Sequence, residues 1–484
     1  MHSIIIRIMK PVCLAILILL FLIFGSCKKT LTVTKAHTVH NEIDSLVSTF
    51  AFNEGFNGAL LIAHKGAIVY QKGFGLANRE WNIPNTTHTK FQIASLTKSF
   101  TAVLVMQLVA EKKLDLETSI THYLPNFSVE GQHKITLHQL LTHSSGIARD
   151  AAIGPNKQAA YPSISLEFTP GTQFLYSNAG YNLLGHIIEQ VSNKSFSELL
   201  QEKICTPLGM HNTGYFQASD VISEMSVGYY KNWGDYFNAS KDTKAYTAGG
   251  MYSTVEDLYL FSQALATEQL LPKKYIVHLF KKHIADPAYD GYYGYGQELL
   301  EKPVGNSPAS VASFGHSGSI PGYCALFTKI PESNTTIILL NNTQRTYLNT
   351  ITKAVMGILY EQSYDFPKKS LVKTMQKEIH SHDVTDAISF FKAQQKNEAY
   401  YINEQELIVA GYEQLHAGNV QAAAELFKLS ILVFPDKDNP YDSYAEALLL
   451  LGKHQEAITN YKKSLELNPQ NHNAVRMLQK LESI

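Results

Sequence analysis

Ser95 and Lys98 stand three residues apart in Ser95-Leu96-Thr97-Lys98. On a helix that spacing puts hydroxyl and amine on one face, within reach of each other. A serine hydroxyl is a poor nucleophile until a base takes its proton. A lysine drawn out of water and close to other cations has its pKa depressed enough to be that base. The pair can therefore start acyl transfer from a serine ester. Spacing alone is a weak signal, because Ser-x-x-Lys also begins at Ser26, Ser370 and Ser389. Tyr-x-Asn begins at Tyr176 but also at Tyr230, Tyr236, Tyr347 and Tyr401, and His-x-Gly at His64, His316 and His416.

Context and order single out one set. Ser95 lies in Phe91-Gln92-Ile93-Ala94-Ser95-Leu96-Thr97-Lys98-Ser99-Phe100-Thr101-Ala102, and Tyr176 in Pro170-Gly171-Thr172-Gln173-Phe174-Leu175-Tyr176-Ser177-Asn178. Between them comes Leu140-Leu141-Thr142-His143-Ser144-Ser145-Gly146-Ile147, and after them Phe314-Gly315-His316-Ser317-Gly318 with Pro321-Gly322-Tyr323. In this order the four segments resemble the penicillin-recognising serine hydrolases: class C β-lactamases, serine D-alanyl-D-alanine carboxypeptidases and related esterases. The resemblance covers about 50–360.

The resemblance implies that Ser95 is acylated and that Lys98 helps to deprotonate it. Tyr176 would relay a proton, its phenolate favoured by the nearby Lys98, since a phenol at its reference pKa of about 10 needs such help. Asn178 would hold the substrate amide and brace Lys98. The oxyanion hole would use the backbone N–H of Ser95 and of Ser319, each such donor supplying about 3 kcal/mol to the transition state. Gly318 would keep the strand edge clear for substrate. β-Lactamases of this group usually carry lysine where this chain has His316, and histidine is largely neutral at pH 7. That weakens the demand for a substrate carboxylate and favours an esterase or D-peptidase over a true β-lactamase, although some carboxypeptidases of the family also use histidine. The rival from another class is a non-catalytic binding or sensor protein, which intact Ser95, Lys98 and Tyr176 argue against. His143 belongs to a stretch that frames the site in the family and stays outside the catalytic set. No cofactor is expected and no metal: His380-Ser381-His382-Asp383 reads as a solvated turn.

The elements that must position these residues follow from pattern. Ala59 to Ala63 and Ala67 to Tyr70 flank His64-Lys65-Gly66, a glycine turn between β-rich runs. A second set of strands comes late, Tyr323 to Lys329 and Thr335 to Leu340. Between the sets, Phe100 to Leu108, Asn182 to Val191 and Val255 to Leu265 carry apolar residues at helical spacing. Ser253 or Thr254 reads as the N-cap of the last of these. The expected fold is mixed α/β (α+β): a β-lactamase/transpeptidase-like antiparallel sheet built from both ends of the domain, flanked by helices, with an all-helical insert region. The domain is placed at 41–365, with a linker and helix over 366–403.

Gly418 and Gly452 lie 34 apart, and Ala423/Ala457, Phe427/Tyr461, Ser430/Ser464 and Pro435/Pro469 fall into step. That period resembles tetratricopeptide repeats, helix–turn–helix units over 404–437 and 438–471 with a capping helix after them, although the usual tryptophan is replaced by Leu407 and Tyr441. Such a tail at 404–484 either offers a groove to a protein partner or braces the domain.

At the other end, Arg7 and Lys10 precede an apolar run from Val12 to Phe24, then Gly25-Ser26-Cys27. This reads as a lipoprotein signal over 1–27, with Cys27 the lipidated residue and 28–40 a tether. The body is expected outside the cytoplasm, anchored to a bacterial membrane on the periplasmic side or the cell surface. A net charge of −1 from 41 basic and 42 acidic side chains advertises no nucleic-acid surface. Cys205 and Cys324 read as small buried hydrophobes rather than catalytic thiols.

Overall fold

The computed structural model describes residues 38–53, 55–128, 134–152, 164–232, 235–240, 245–344, 347–381 and 383–482. The signal, Cys27 and most of the tether lie outside the described residues, as do His382 and the side chains of His380 and Ser381. Among the described residues no helix is long and apolar enough to cross a membrane. The chain divides into two units, one spanning most of 1–366 and one formed mainly by 367–484.

The first unit is built on an eight-stranded sheet: β1 (Gly58–His64), β2 (Ala67–Phe74), β3 (Ile284–Asp286), β4 (Gly291–Tyr293), β5 (Glu298–Pro303), β6 (Ser310–Ile320), β7 (Tyr323–Ile330) and β8 (Thr335–Asn341). Its order is β3-β4-β5-β6-β7-β8-β1-β2, and every recorded pairing is antiparallel. The last strand thus closes against the first, with Leu60 opposite Leu339. Both faces of these central strands are covered, which explains their unbroken apolar runs. Alternate residues go to opposite cores: Ala59, Leu61, Ile338 and Leu340 to one, Leu60, Ile62, Ile337 and Leu339 to the other.

Helices fill both faces. On one, α1 (38–52) buries Ile43, Leu46 and Val47, and α6 (Leu348–Leu359) buries Ile351 and Val355. The other carries α2 (Thr97–Ala110), α3 (Leu137–Leu141), α4 (Asn178–Ser192) and α5 (Val255–Ala264). Helix α2 is apolar almost all round, and Phe100 stacks on Phe261 of α5 at 3.9 Å between ring centroids. Thr254 caps α5 by accepting from Asp257 N–H. Strands β3 to β5 were not expected between the two strand sets. They are short, of three, three and six residues, and carry too little period-2 patterning to stand out.

The second unit is helical: α7 (Leu371–Ser381), α8 (Val384–Gln394), α9 (Glu404–His416), α10 (Val420–Val433), α11 (Asp438–Leu450), α12 (His454–Leu467) and α13 (His472–Glu482). The residues in step at 34 are the ones that pack: Ala423, Ala457, Phe427, Tyr461, Ser430 and Ser464 are all buried. Gly418 and Gly452 take left-handed φ of 82° and 74° where one helix turns into the next, which only glycine adopts cheaply.

Candidate active site

Ser95 does not open an α-helix. It sits in a single 3-10 turn, Ala94–Leu96, and α2 begins at Thr97. Ala94 is held at φ 48°, a left-handed conformation that alanine avoids, so the turn before the hydroxyl stores strain. Thr97 pins it: Oγ1 donates to Ala94 carbonyl at 2.7 Å and accepts from Met251 N–H at 3.2 Å. Ser95 is left partly exposed while its neighbours are buried.

Lys98, one turn on, is fully buried. Its Nζ lies 2.8 Å from Asn178 Oδ1, 2.8 Å from the Ala248 carbonyl and 3.3 Å from Ser95 Oγ. Burial, reinforced by the Arg149 charge, pushes its pKa well below the usual lysine range, against the pull of Asp150 and Glu298. A neutral amine has two N–H groups and one lone pair. As a neutral amine with both N–H groups on Asn178 and Ala248, Lys98 would turn its lone pair to the Ser95 hydroxyl.

The Ala248 carbonyl is aimed by its own supports. Ala248 N–H donates to Asn182 Oδ1, Thr247 Oγ1 to the Tyr181 carbonyl, and Thr101 Oγ1 to the Thr247 carbonyl. Helices α2 and α4 thus clamp this turn between them. Asn178 opens α4, which Ser177 caps through Gly180 N–H. Its Nδ2 donates to Asp150 Oδ1 at 2.8 Å, fixing which amide atom faces Lys98.

Tyr176 stands beside this pair, with Lys98 Nζ 4.6 Å from its ring centroid. Burial raises the Tyr176 pKa well above the phenol range, with the Ser95 side chain opposing. Burial thus works against the expected phenolate. His143 frames this loop. Its Nδ1 accepts from Ser177 N–H at 3.0 Å, its carbonyl accepts from Leu175 N–H, and its ring lies 4.3 Å from that of Tyr176.

The other wall is β6. Its pairing with β5 ends at Gly315, so from His316 onward that edge turns toward the nucleophile instead. Gly318 packs on the turn: a Cβ there would come within 2.6 Å of the Ile93 carbonyl and 3.1 Å of Ser95 N. The glycine thus admits the nucleophile turn itself, rather than only keeping a path clear for substrate. Ser319 is exposed, opposite Cys324 in the β6–β7 register.

His316 is buried and offers substrate neither ring nitrogen in this arrangement. Tyr293 hydroxyl lies 2.9 Å from Nε2, and Nδ1 lies 2.5 Å from the Ser317 carbonyl. One neutral tautomer satisfies both contacts, accepting at Nε2 and donating at Nδ1. Burial lowers its pKa, opposed by Glu298, whose Oε1 is 3.5 Å from Nδ1 and accepts from Ser317 Oγ at 2.7 Å.

The structure therefore brings Ser95, Lys98, Tyr176 and Asn178 together, with Gly318 against them. It adds Ala248, Asp150, Tyr293 and Glu298, which the motifs did not reveal. Each acts through a carbonyl or a contact distant in sequence, and has no fixed spacing to give it away.

A strained serine turn, a buried lysine and a facing strand edge define a serine hydrolase of the β-lactamase and penicillin-binding-protein type. Residues 43–355 match the Beta-lactamase family model, and the chain belongs to that family. Among relatives, the putative penicillin-binding protein PbpX of Bacillus subtilis (strain 168) is 28% identical over 326 residues, covering 66% of this chain and 78% of that protein. A penicillin binding protein from Bacillus halodurans superposes with a TM-score of 0.54 at 27% identity, covering 66% of this chain and 98% of the other. The D-amino acid amidase from Ochrobactrum anthropi SV3 shares the fold, with a TM-score of 0.53 at 24% identity over 66% of this chain and 97% of that one.

Proposed function

We propose that the protein hydrolyses an ester or amide through a covalent Ser95 acyl-enzyme, as an esterase or D-peptidase rather than a true β-lactamase. The observation that carries this reading is the buried Lys98 amine, held by Asn178 and Ala248 with Ser95 Oγ at 3.3 Å. Lys98 takes the Ser95 proton as Oγ attacks the carbonyl carbon. The oxyanion is received by the N–H groups of Ser95 and Ser319. Tyr176, beside Lys98, passes a proton to the leaving group, and water then cleaves the ester by the reverse relay. The neutral, enclosed His316 supports the preference against β-lactams, because it provides no fixed cation at the place where the related β-lactamases carry one.

The N-terminal pattern supports a lipid anchor at Cys27 and a place outside the cytoplasm. The 34-residue period of the tail supports a tetratricopeptide-like unit, serving either a protein partner or the stability of the chain.

The test is hydrolysis of p-nitrophenyl acetate by the purified protein beside Ser95→Ala. Loss of the rate in the variant is expected; equal, negligible rates in both would overturn catalysis in favour of a binding role. A penicillin acyl-enzyme that turns over in seconds would instead identify a β-lactamase.

A further inference from the structure

His316 is enclosed and Lys98 buried, yet a full positive charge does stand at the site. The Arg149 guanidinium carbon lies 5.4 Å from the Tyr176 ring centroid, and its side chain is 65% exposed. The backbone beneath it is fixed, because the Arg149 carbonyl accepts from Ala179 N–H in the first turn of α4 at 3.1 Å. The side chain is only loosely tied. Its Nε is 3.6 Å from Asp150 Oδ2, beyond hydrogen-bond length, while Asp150 Oδ1 is engaged by Asn178. Among the described residues, the two terminal nitrogens of the guanidinium make no hydrogen bond.

A planar fork of donors, held over a ring and open to solvent, matches a carboxylate in shape and charge. We propose that Arg149 is a substrate-binding residue that takes a carboxylate of the acyl compound beside Tyr176, so that the protein prefers anionic esters or amides. This rests on the acyl-transfer reading above and goes beyond it by naming a substrate class and a recognising side chain. It also returns to the site, from the α3–α4 side, the charge that His316 withholds on β6.

The test compares 4-nitrophenyl hydrogen glutarate with the nearly isosteric neutral 4-nitrophenyl pentanoate, reading the ratio of their kcat/KM values. Arg149→Ala is expected to lower the anionic-to-neutral ratio by about tenfold or more, with Arg149→Lys in between. A ratio within twofold of wild type overturns the proposal. Binding is measured independently of turnover by titrating monomethyl glutarate and dimethyl glutarate calorimetrically into Ser95→Ala protein. The monoanion should bind more tightly, and adding Arg149→Ala should erase the difference. No preference for the monoanion overturns the carboxylate site whatever the rates do. Loss of Ser95-dependent hydrolysis with the binding preference intact would overturn only the catalytic reading.

Discussion

Asn178 holds Lys98 through its carbonyl oxygen at 2.8 Å while its amide nitrogen is held in turn by Asp150. The amide is thus oriented from behind, and the lysine amine inherits that orientation. Asn178→Ala should lower kcat by about a hundredfold, the scale of a misdirected general base. Asp150→Ala should cost less, about tenfold, because it frees the amide without removing it. Steady-state kinetics on p-nitrophenyl acetate with both variants checks the order.

The same pair sets a pH dependence. Lys98 must be neutral to accept a proton, and its folded pKa is depressed well below the lysine range by burial. The rate should rise with pH through an acid limb lying well below the usual lysine pKa of about 10.4. Asn178→Asp would place a carboxylate at 2.8 Å from the amine and stabilise its protonated form. The acid limb of kcat/KM should then move to higher pH. A limb that stays in place would assign the titration to another group.

Gly318→Ala tests the contact between strand and nucleophile. The added Cβ would meet the Ile93 carbonyl at 2.6 Å, a backbone atom that cannot swing aside. Overpacking of this kind costs about 1–3 kcal/mol. Because the displaced turn carries Ser95, activity should fall by more than the stability loss explains, to below one hundredth. Thermal unfolding and acyl-enzyme formation, measured on the same preparation, separate the two effects.

Much of this was legible in the residues. The β1–β2 hairpin, the two late strands and helices α2, α4 and α5 follow from local period, and the Ser95–Lys98 pair from its spacing together with the context and order of the motifs around it. The strand that carries His316 and Ser319 was legible only as a motif, since its eleven residues mix glycine, serine and histidine with few apolar side chains. Ala248 was invisible, because a backbone carbonyl has no residue signature. Tyr293 was hidden for another reason: its role is set by a cross-sheet neighbour 23 residues away. In the tail, the small and aromatic residues in step at 34 are buried, which is why that period stands out in the sequence.

Tyr293→Phe removes the donor to His316 Nε2 while keeping the ring. The buried nitrogen would be left without its partner, at a cost of about 1–3 kcal/mol. Chemical denaturation should register that loss, and His316 should become more accessible to diethyl pyrocarbonate.

Acid stability carries the signature of a half-buried histidine. His283, stacked on Tyr295 at 4.3 Å, has its pKa lowered from 6.5 to about 4, chiefly by burial. A depressed histidine is neutral when folded and charged when unfolded between those values. Its contribution is therefore present above pH 6.5 and is lost as pH falls toward 4. His283→Phe, which preserves the stacking, should lose less Tm between pH 7 and 4.5 than wild type does. An equal loss in both would place the acid sensitivity elsewhere.

Asn57 N–H donates to Asn341 Oδ1, a bond between residues 284 positions apart, and β1 pairs along its length with β8. The first strand to leave a ribosome or translocon therefore waits for the last before its second edge is satisfied. Closing so long a loop is entropically slow. During that interval β1, apolar on both faces, lacks the partner on its second edge. A chain ending between His316 and Thr335 would retain Ser95, Lys98, Tyr176 and His316 and should still be inactive. Activity should thus emerge late, in a single step, after synthesis has passed the hydrolase domain.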